Sequence, residues 1–249
     1  MILIQLSFLM LSYGFFDKPM KTITFDSKDG VQISADYYES DTENAPLIIL
    51  FHQAGWSRGE YREIAPKLVA MGFNCLAVDL RSGNQVNDVE NKTFRSAKSK
   101  VKQTSYLDAY ADVQASVEYA MEFLTGGEKV IIWGSSYSSS LVLKYAGEHK
   151  KNIKGVLAFS PGEYFTSLGK SSSFIQESAT NIISPVFITS AKNEQKSWWN
   201  IYQSIQAEEK SYFLPETSGN HGSRALWVQF QDNKAYWASV TKFLESLKA

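Results

Sequence analysis

The sequence predicts an α/β fold, in which helices cover both faces of a mostly parallel sheet. Short apolar runs such as "LIILF" alternate with longer stretches of helical periodicity along the 249 residues, an order typical of parallel sheets with crossover helices. Continuous apolar runs indicate strands that are covered on both faces. Two alternating runs joined through Asp29-Gly30 predict an opening hairpin, which gives the sheet an antiparallel edge.

The predicted elements follow in a regular order. The hairpin strands are "KTITFD" and "VQISADYY", followed by the strand "LIILF", a helical stretch over residues 60–71 and the strand "FNCLAVD". A helix over residues 106–124 ends near Gly126-Gly127 and leads into the strand "KVIIW", and the next helix runs from residue 137 to about 149. The last predicted elements are the strands "IKGVLAFS" and "PVFITS", a helix over residues 198–207, the strand "KSYFL" and a helix that ends at Leu247.

Two connections exceed the usual length of a few residues. Residues 81–105 are polar and rich in Asn, Ser and Lys, and we expect an irregular excursion there. Residues 161–184 have room for one short helix but not for a cap domain. The sequence therefore predicts a single domain over residues 18–249 that has no large lid.

The N-terminal residues 1–17 are apolar but too short for a membrane span, so no integral membrane segment is expected. We favour a signal peptide with a small-residue cleavage site at residues 12–14, which would place the protein outside the cell or in the periplasm. The stretch lacks Lys and Arg, and the alternative is a misassigned N-terminal extension of a cytoplasmic protein, since Met20-Lys21 directly precede the first strand.

Composition disfavours several classes of protein. The net charge is −1 and no basic block is present, which argues against a nucleic-acid partner. Cys75 is the only cysteine, so an internal disulfide is impossible, and its apolar surroundings predict a buried thiol. The three histidines, His52, His149 and His221, offer little material for a zinc site.

The chemistry is concentrated in "KVIIWGSSYSSSLVLKYA", where an apolar strand turns into a helix. Gly134-Ser135-Ser136-Tyr137-Ser138 matches the Gly-x-Ser-x-Gly nucleophile elbow except for its last glycine, which is Ser138. The pattern predicts that Ser136 is a nucleophile and that the amide of Tyr137 binds an oxyanion. The alternative is a serine-rich N-cap, in which the hydroxyls bind free amides of the helix.

A serine hydroxyl needs a base, and His221 is the best candidate because it follows the last short strand in a glycine-containing loop. His149 lies at a charged helix end, where we expect it to be solvated. His52 follows the strand "LIILF", in the loop that supplies the second oxyanion donor. We expect the amide of Ala54 to be that donor, with Gln53 as the neighbouring candidate, and His52 to brace the loop.

The group that orients the histidine should follow the strand "PVFITS", where "SAKNEQK" offers Asn193 and Glu194 but no aspartate. Glu194 is the only carboxylate in this loop and is our choice. Asn193 could orient an imidazole but could not neutralise an imidazolium. The alternative for Glu194 is a solvated residue at a helix start.

Over residues 21–247 the sequence resembles the α/β-hydrolase superfamily in "LIILFHQAG", "GFNCLAVDLRSG", "IIWGSSYS", "PVFITSAKNE" and "SGNHG". It is most similar to small lidless members around the dienelactone hydrolases and to the catalytic domains of prolyl-oligopeptidase-like peptidases. The resemblance implies an eight-stranded sheet whose second strand is antiparallel and a Ser–His–acid hydrolase. The serine departs from the cysteine of dienelactone hydrolases, and no propeller domain precedes the matching region.

The expected function is hydrolysis of a small carboxylic ester, or a similar acyl compound, through an acyl-enzyme. This chemistry requires a small-molecule acyl substrate and no metal or organic cofactor. A small-peptide amidase or thioesterase is one alternative, because the same triad serves these reactions. A binding protein that keeps the fold but has lost catalysis is the other, because the acid loop lacks an aspartate.

Overall fold

The structure is a computed structural model that describes residues 18–248. Residues 1–17, for which the sequence predicts a signal peptide or an N-terminal extension, lie outside the described part. Within it, eight strands form the main sheet. They are β1 (Lys21–Asp26), β2 (Gln32–Tyr38), β3 (Leu47–Phe51), β4 (Asn74–Val78), β5 (Val130–Ser135), β6 (Ile153–Phe159), β7 (Val186–Thr189) and β8 (Lys210–Phe213).

The order across the sheet is β1-β2-β4-β3-β5-β6-β7-β8. Strand β2 is antiparallel to both of its neighbours, and the other pairs are parallel. The predicted fold class is confirmed, including the hairpin, which turns through Asp29-Gly30. Seven α-helices are described. They are α1 (Ala65–Ala70), α2 (Lys92–Ser99), α3 (Tyr110–Tyr119), α4 (Tyr137–Glu148), α5 (Phe174–Ala179), α6 (Gln195–Ser204) and α7 (Asn233–Ser246).

The central position of strand β3 in the sheet explains why its sequence is uniformly apolar. It lies between β4 and β5, and all five of its residues are buried. Alternate side chains of a strand face opposite sides, so Ile49 and Phe51 enter one core cluster and Ile48 and Leu50 enter the other. Helices α3 to α6 contribute to the first cluster, and helices α1 and α7 contribute to the second. The sheet is therefore covered on both faces, as predicted.

The prediction of an irregular excursion over residues 81–105 is wrong. This segment contains a short ladder of Gln85–Val86 with Val89–Glu90 and the eight-residue helix α2. The Asn91 side chain caps the helix by accepting a hydrogen bond from the Phe94 amide at 2.7 Å. Thr93 is buried and accepts a hydrogen bond from the Ser34 amide of β2 at 2.9 Å. The polar residues of this segment thus provide a helix cap and an anchor to β2.

Two other stretches differ less from expectation. The helix predicted over residues 60–71 is divided into a 3₁₀ turn, Arg58–Tyr61, and helix α1, which has a proline in its first turn, where proline favours a helix start. Residues 161–184 contain the one short helix expected, α5, and no cap domain. Among residues 18–248, no helix has the length and apolarity needed to cross a bilayer.

Candidate active site

The turn between β5 and α4 has the geometry of a nucleophile elbow. Ser136 alone separates the two elements and has φ 60° and ψ −128°, a conformation that costs free energy for a residue with a side chain. A Cβ on Gly134 would lie 2.4 Å from the backbone of Ser138 and Ser139. The helix start therefore packs directly on the end of the strand, which is why this position needs glycine.

Ser138, which replaces the last glycine of the pattern, is buried and fully hydrogen-bonded. Its Oγ accepts from the Ser135 amide at 2.8 Å and lies 2.8 Å from the carbonyl oxygen of Phe51, to which it can donate. The hydroxyl therefore ties the elbow to the end of β3. Ser136 makes no side-chain capping bond to α4, in contrast to the N-cap interpretation of this serine.

The structure brings Ser136, His221 and Glu194 together, although they are far apart in sequence. The Oγ of Ser136 is 2.8 Å from Nε2 of His221, and Nδ1 of His221 is 2.6 Å from Oε1 of Glu194. Glu194 ends a 3₁₀ turn after β7, and His221 lies in the loop after β8. The serine remains 7% exposed. A proton can therefore pass from the serine to one side of the imidazole while a carboxylate faces the other side.

Glu194 is held by two donors in addition to the histidine. Its Oε2 accepts from the Ser160 hydroxyl at 2.7 Å and from the Ala191 amide at 3.1 Å. Burial alone would raise the pKa of Glu194, but the hydrogen bonds from His221 and Ser160 outweigh it and hold that pKa below its usual value. The carboxylate is therefore ionised at neutral pH. Asn193 is exposed, and it is Glu194 that faces the imidazole.

The two expected oxyanion donors have free amides. Among the hydrogen bonds of residues 18–248, none involves the amide of Tyr137 or that of Ala54. The amide of Gln53, the neighbouring candidate, donates to Oε2 of Glu60 at 2.8 Å and is not available. Between Gln53 and Ala54, only Ala54 therefore has an amide that can donate to an oxyanion.

His52 braces the same loop and lies outside the reacting groups. Its Nε2 accepts from the Leu80 amide at 2.9 Å, which leaves the proton on Nδ1, and Nδ1 donates to the carbonyl oxygen of Gln53 at 2.7 Å. Burial lowers the pKa of His52 to about 4, so the ring is neutral at pH 7. His149 is half-buried and stacks on Tyr145 with ring centroids 4.1 Å apart, rather than being solvated as expected.

Ser160 and Glu60 were not predicted from the sequence. Ser160 directly follows β6, so its position after a predicted buried strand was a usable signal. Its φ is 57°. Glu60 is fully buried and accepts from the Ser135 hydroxyl at 2.7 Å. No sequence pattern distinguishes Glu60 from Glu63, which is exposed three residues later.

Six aromatic residues lie in loops or early helix turns that follow strands of the main sheet. They are Trp56, Tyr137, Tyr164, Phe165, Trp198 and Trp199. Tyr164 lies near the triad: its hydroxyl donates to the carbonyl oxygen of Ser160 at 2.6 Å, and Ser160 is hydrogen-bonded to Glu194. Trp198 is fully buried and donates to the Ser190 hydroxyl at 2.8 Å, so it packs behind the acid loop. The phenol of Tyr137 is likewise buried and is hydrogen-bonded to Ser82.

The fold and the elbow together define an α/β-hydrolase. A sequence model of the alpha/beta hydrolase fold family matches residues 46–180, more than half of the chain. The chain belongs to this family. No curated protein sequence matches it.

Solved structures of the same fold include an esterase, a dienelactone hydrolase and a peptidase. The esterase Pf2001 of Pyrococcus furiosus is 18% identical and superposes with a TM-score of 0.70 over 92% of each chain. A dienelactone hydrolase of Anabaena variabilis is 12% identical, with a TM-score of 0.70 over 92% of this chain and 97% of the other. An acylaminoacyl peptidase of Pyrococcus horikoshii is 14% identical, with a TM-score of 0.67 over 93% of this chain and 42% of the other. At these identities the likeness is one of fold.

Proposed function

We propose that the protein is a serine hydrolase that cleaves a small carboxylic ester, or a similar acyl compound, through an acyl-enzyme. One observation carries the proposal: the strained Ser136 is hydrogen-bonded to His221, and His221 is hydrogen-bonded to Glu194, at 2.8 and 2.6 Å. A turn serine with no catalytic role would have no need of an imidazole on its hydroxyl.

In the acylation step, Ser136 Oγ attacks the carbonyl carbon while His221 Nε2 takes the hydroxyl proton. The carbonyl oxygen becomes an oxyanion that the amides of Tyr137 and Ala54 bind. Glu194 stabilises the positive charge on the imidazolium. When the tetrahedral intermediate collapses, the bond to the leaving oxygen breaks, and His221 gives its proton to the departing alcohol.

In the deacylation step, water attacks the acyl-enzyme, and His221 Nε2 takes its proton as the bond forms. Collapse of this second intermediate releases the carboxylic acid and returns the proton to Ser136 Oγ. The groups that the two steps require are all supplied by this chain, so no metal or organic cofactor is needed.

The position of Glu194 argues against the alternative of a binding protein that has lost catalysis. That alternative depended on an acid loop without aspartate, and a glutamate within 2.6 Å of the imidazole supplies the missing charge. An amidase or thioesterase would use the same residues. We favour an ester because structures with this fold include an esterase of matching length, whereas the acylaminoacyl peptidase aligns over only 42% of its chain.

The test is labelling with a fluorophosphonate probe, followed by intact mass and mapping of the adduct, together with turnover of p-nitrophenyl acetate. We expect one adduct on Ser136, no adduct in Ser136→Ala, and labelling at least about 100-fold slower in Glu194→Gln. Asn193→Ala is the matched control and should label at the wild-type rate. A folded wild-type protein that neither labels nor turns over ester would refute the proposal.

Selective slowing in Asn193→Ala would instead assign the third role to Asn193. Equal labelling of wild type and Glu194→Gln would remove the carboxylate from the mechanism. The three variants therefore separate the absence of a nucleophile from a wrong choice of acid.

A further inference from the structure

A buried carboxylate lies beneath the candidate active site and has no part in the proposed chemistry. Glu60 is fully buried. Its Oε2 accepts from the Gln53 amide at 2.8 Å, and its Oε1 accepts from the Ser135 hydroxyl at 2.7 Å. Gln53 directly precedes Ala54, and Ser135 directly precedes Ser136. One carboxylate thus joins the residue before the expected oxyanion donor to the residue before the nucleophile.

The same hydroxyl extends the link to the histidine loop. Ser135 Oγ accepts from the Ser223 amide at 2.8 Å, two residues after His221. A Cβ on Gly222 would lie 2.6 Å from Ser135 Oγ and 2.9 Å from the side-chain oxygen of Gln53, so the three loops are in close contact. Since Ser135 accepts from Ser223, its own proton is free to point at Glu60.

The Gln53 amide and the Ser135 hydroxyl both donate to Glu60, so its side chain must supply two acceptor atoms. A carboxylate offers an acceptor on each oxygen, whereas a glutamine of the same shape has only one. In Glu60→Gln, the NH₂ group would face either the Gln53 amide, which is a donor, or the Ser135 hydroxyl, whose proton would then lose its acceptor. A buried donor left without a partner costs free energy, and neighbouring groups move to avoid it.

The two donors favour the ionised form of Glu60, against the effect of burial. Burial raises the pKa of Glu60 to about 7, while the hydrogen bonds from Ser135 and Gln53 and the charges of His221 and Arg224 favour the ionised form. Burial of a carboxylate lowers the stability of the folded chain. Its presence at this position is therefore explained by a function of its contacts. An active site that needs fixed distances between three loops provides such a function.

We infer that Glu60 is a positioning residue that holds the Ala54 amide at a fixed distance from Ser136 Oγ. This inference rests on the proposed function. Glu60 acts through Gln53 and Ser135 and does not touch substrate. Its loss should weaken binding of the oxyanion, which exists only during reaction, more than binding of the ground-state substrate.

The experiment measures kcat and KM with p-nitrophenyl acetate, the rate of fluorophosphonate labelling and the thermal midpoint for wild type, Glu60→Gln, Ser135→Ala and the double variant. Glu63→Gln is the matched control, since Glu63 is exposed on the same segment. We expect kcat to fall about tenfold or more in each single variant, with KM within about threefold of wild type. The double variant should be no slower than the slower single variant, because both changes break the Gln53–Glu60–Ser135 link. Ser135→Ala also removes the acceptor of the Ser223 amide, so we expect it to be the slower single variant.

Ser135→Ala keeps the inference testable if Glu60→Gln does not fold. Wild-type kcat in a folded Glu60→Gln or Ser135→Ala, a change confined to KM, or multiplied effects in the double variant would each overturn the positioning role. Those results leave the proposed function intact, since wild type would still turn over ester and label at Ser136. A wild type with neither activity would refute both.

Discussion

Ser160 joins the acid of the candidate triad to the histidine loop: its Oγ donates to Glu194 Oε2 at 2.7 Å and accepts from the Gly222 amide at 2.9 Å. Ser160 has φ 57°, a left-handed backbone that is uncommon for serine. It is almost fully buried, at 1% exposure. A strained, buried serine between two members of a site indicates that its hydroxyl sets their relative position.

Ser160→Ala should therefore reduce both activity and stability. The change removes a hydrogen bond to a charged group and leaves the Gly222 amide without its acceptor, so we expect the free energy of unfolding to fall by about 1–3 kcal/mol. We also expect kcat/KM for p-nitrophenyl acetate to fall about tenfold, because Glu194 becomes free to move away from His221. Steady-state kinetics and urea unfolding measure the two effects.

Ser184→Ala is the control for this prediction. Ser184 is also buried, and its hydroxyl donates to the carbonyl oxygen of Ile153. Ile153 begins β6, whereas Ser160 follows its last residue, so the two serines lie at opposite ends of this strand. Ser184→Ala should lose a similar amount of stability without loss of activity. Equal kcat/KM in Ser160→Ala and wild type would show that Glu194 does not need Ser160.

Ser138→Gly restores the last glycine of the nucleophile-elbow pattern, yet we expect it to weaken the protein. The Ser138 hydroxyl binds both the Ser135 amide and the carbonyl oxygen of Phe51, and glycine keeps neither contact. Glycine within a helix also costs about 1 kcal/mol. The free energy of unfolding should fall by about 2 kcal/mol in urea titrations. A more stable or more active Ser138→Gly would contradict this account of the serine.

Gly134→Ala tests the close contact on the other side of the elbow. The new methyl group would lie 2.4 Å from the backbone of Ser138 and Ser139, so helix α4 must shift away from β5. We expect about 1–3 kcal/mol of lost stability and at least tenfold lower kcat, measured by urea unfolding and ester turnover. Gly126→Ala is the control, because a Cβ there meets nothing within 4 Å, although its φ of 64° also disfavours alanine. It should lose stability but not activity.

The sequence was sufficient where local pattern determines structure. The apolar run of β3 and the Gly-x-Ser turn at Ser136 depend on neighbours in the chain, and both were predicted at the right residues. Glu194 could be chosen because it is the only carboxylate in the loop after β7. Contacts between distant partners could not be predicted from the sequence: Thr93 anchors helix α2 to a residue 59 positions away, and Glu60 binds a hydroxyl 75 positions away. Such contacts follow from the folded sheet, which brings the strand ends together.

Two buried groups should give the stability opposite dependences on pH. The folded-state pKa of His52 is about 4, below its usual value of 6.5, so the unfolded chain binds a proton first as the pH falls. Stability from a neutral His52 is therefore complete above pH 6.5 and is lost between pH 6.5 and 4. The folded-state pKa of Glu60 is about 7, above its usual value of 4.5, so here the folded chain binds the proton first. Protonation of Glu60 therefore raises the free energy of unfolding as the pH falls from 7 to 4.5.

Glu60→Gln separates these two effects. In wild type the contributions of His52 and Glu60 oppose each other between pH 4.5 and 6.5, and each amounts to about 3 kcal/mol over its full range. Without the carboxylate, the His52 contribution is unopposed. The free energy of unfolding of Glu60→Gln should therefore fall more steeply on acidification than that of wild type, with the difference changing by up to about 3 kcal/mol between pH 7 and 4.5. Urea titrations at a series of pH values measure it, and the other titrating groups cancel because both proteins contain them.

His52→Gln provides the opposite control for this prediction. It removes the protonation that destabilises the folded chain in acid, so its stability relative to wild type should improve as the pH falls from 6.5 to 4. Glu63→Gln makes the same substitution at an exposed position of the same segment and is the matched control. Parallel curves for wild type and Glu60→Gln would mean that Glu60 has the same proton affinity folded and unfolded. A carboxylate that is fully buried on the Ser135 hydroxyl and the Gln53 amide should not behave in this way.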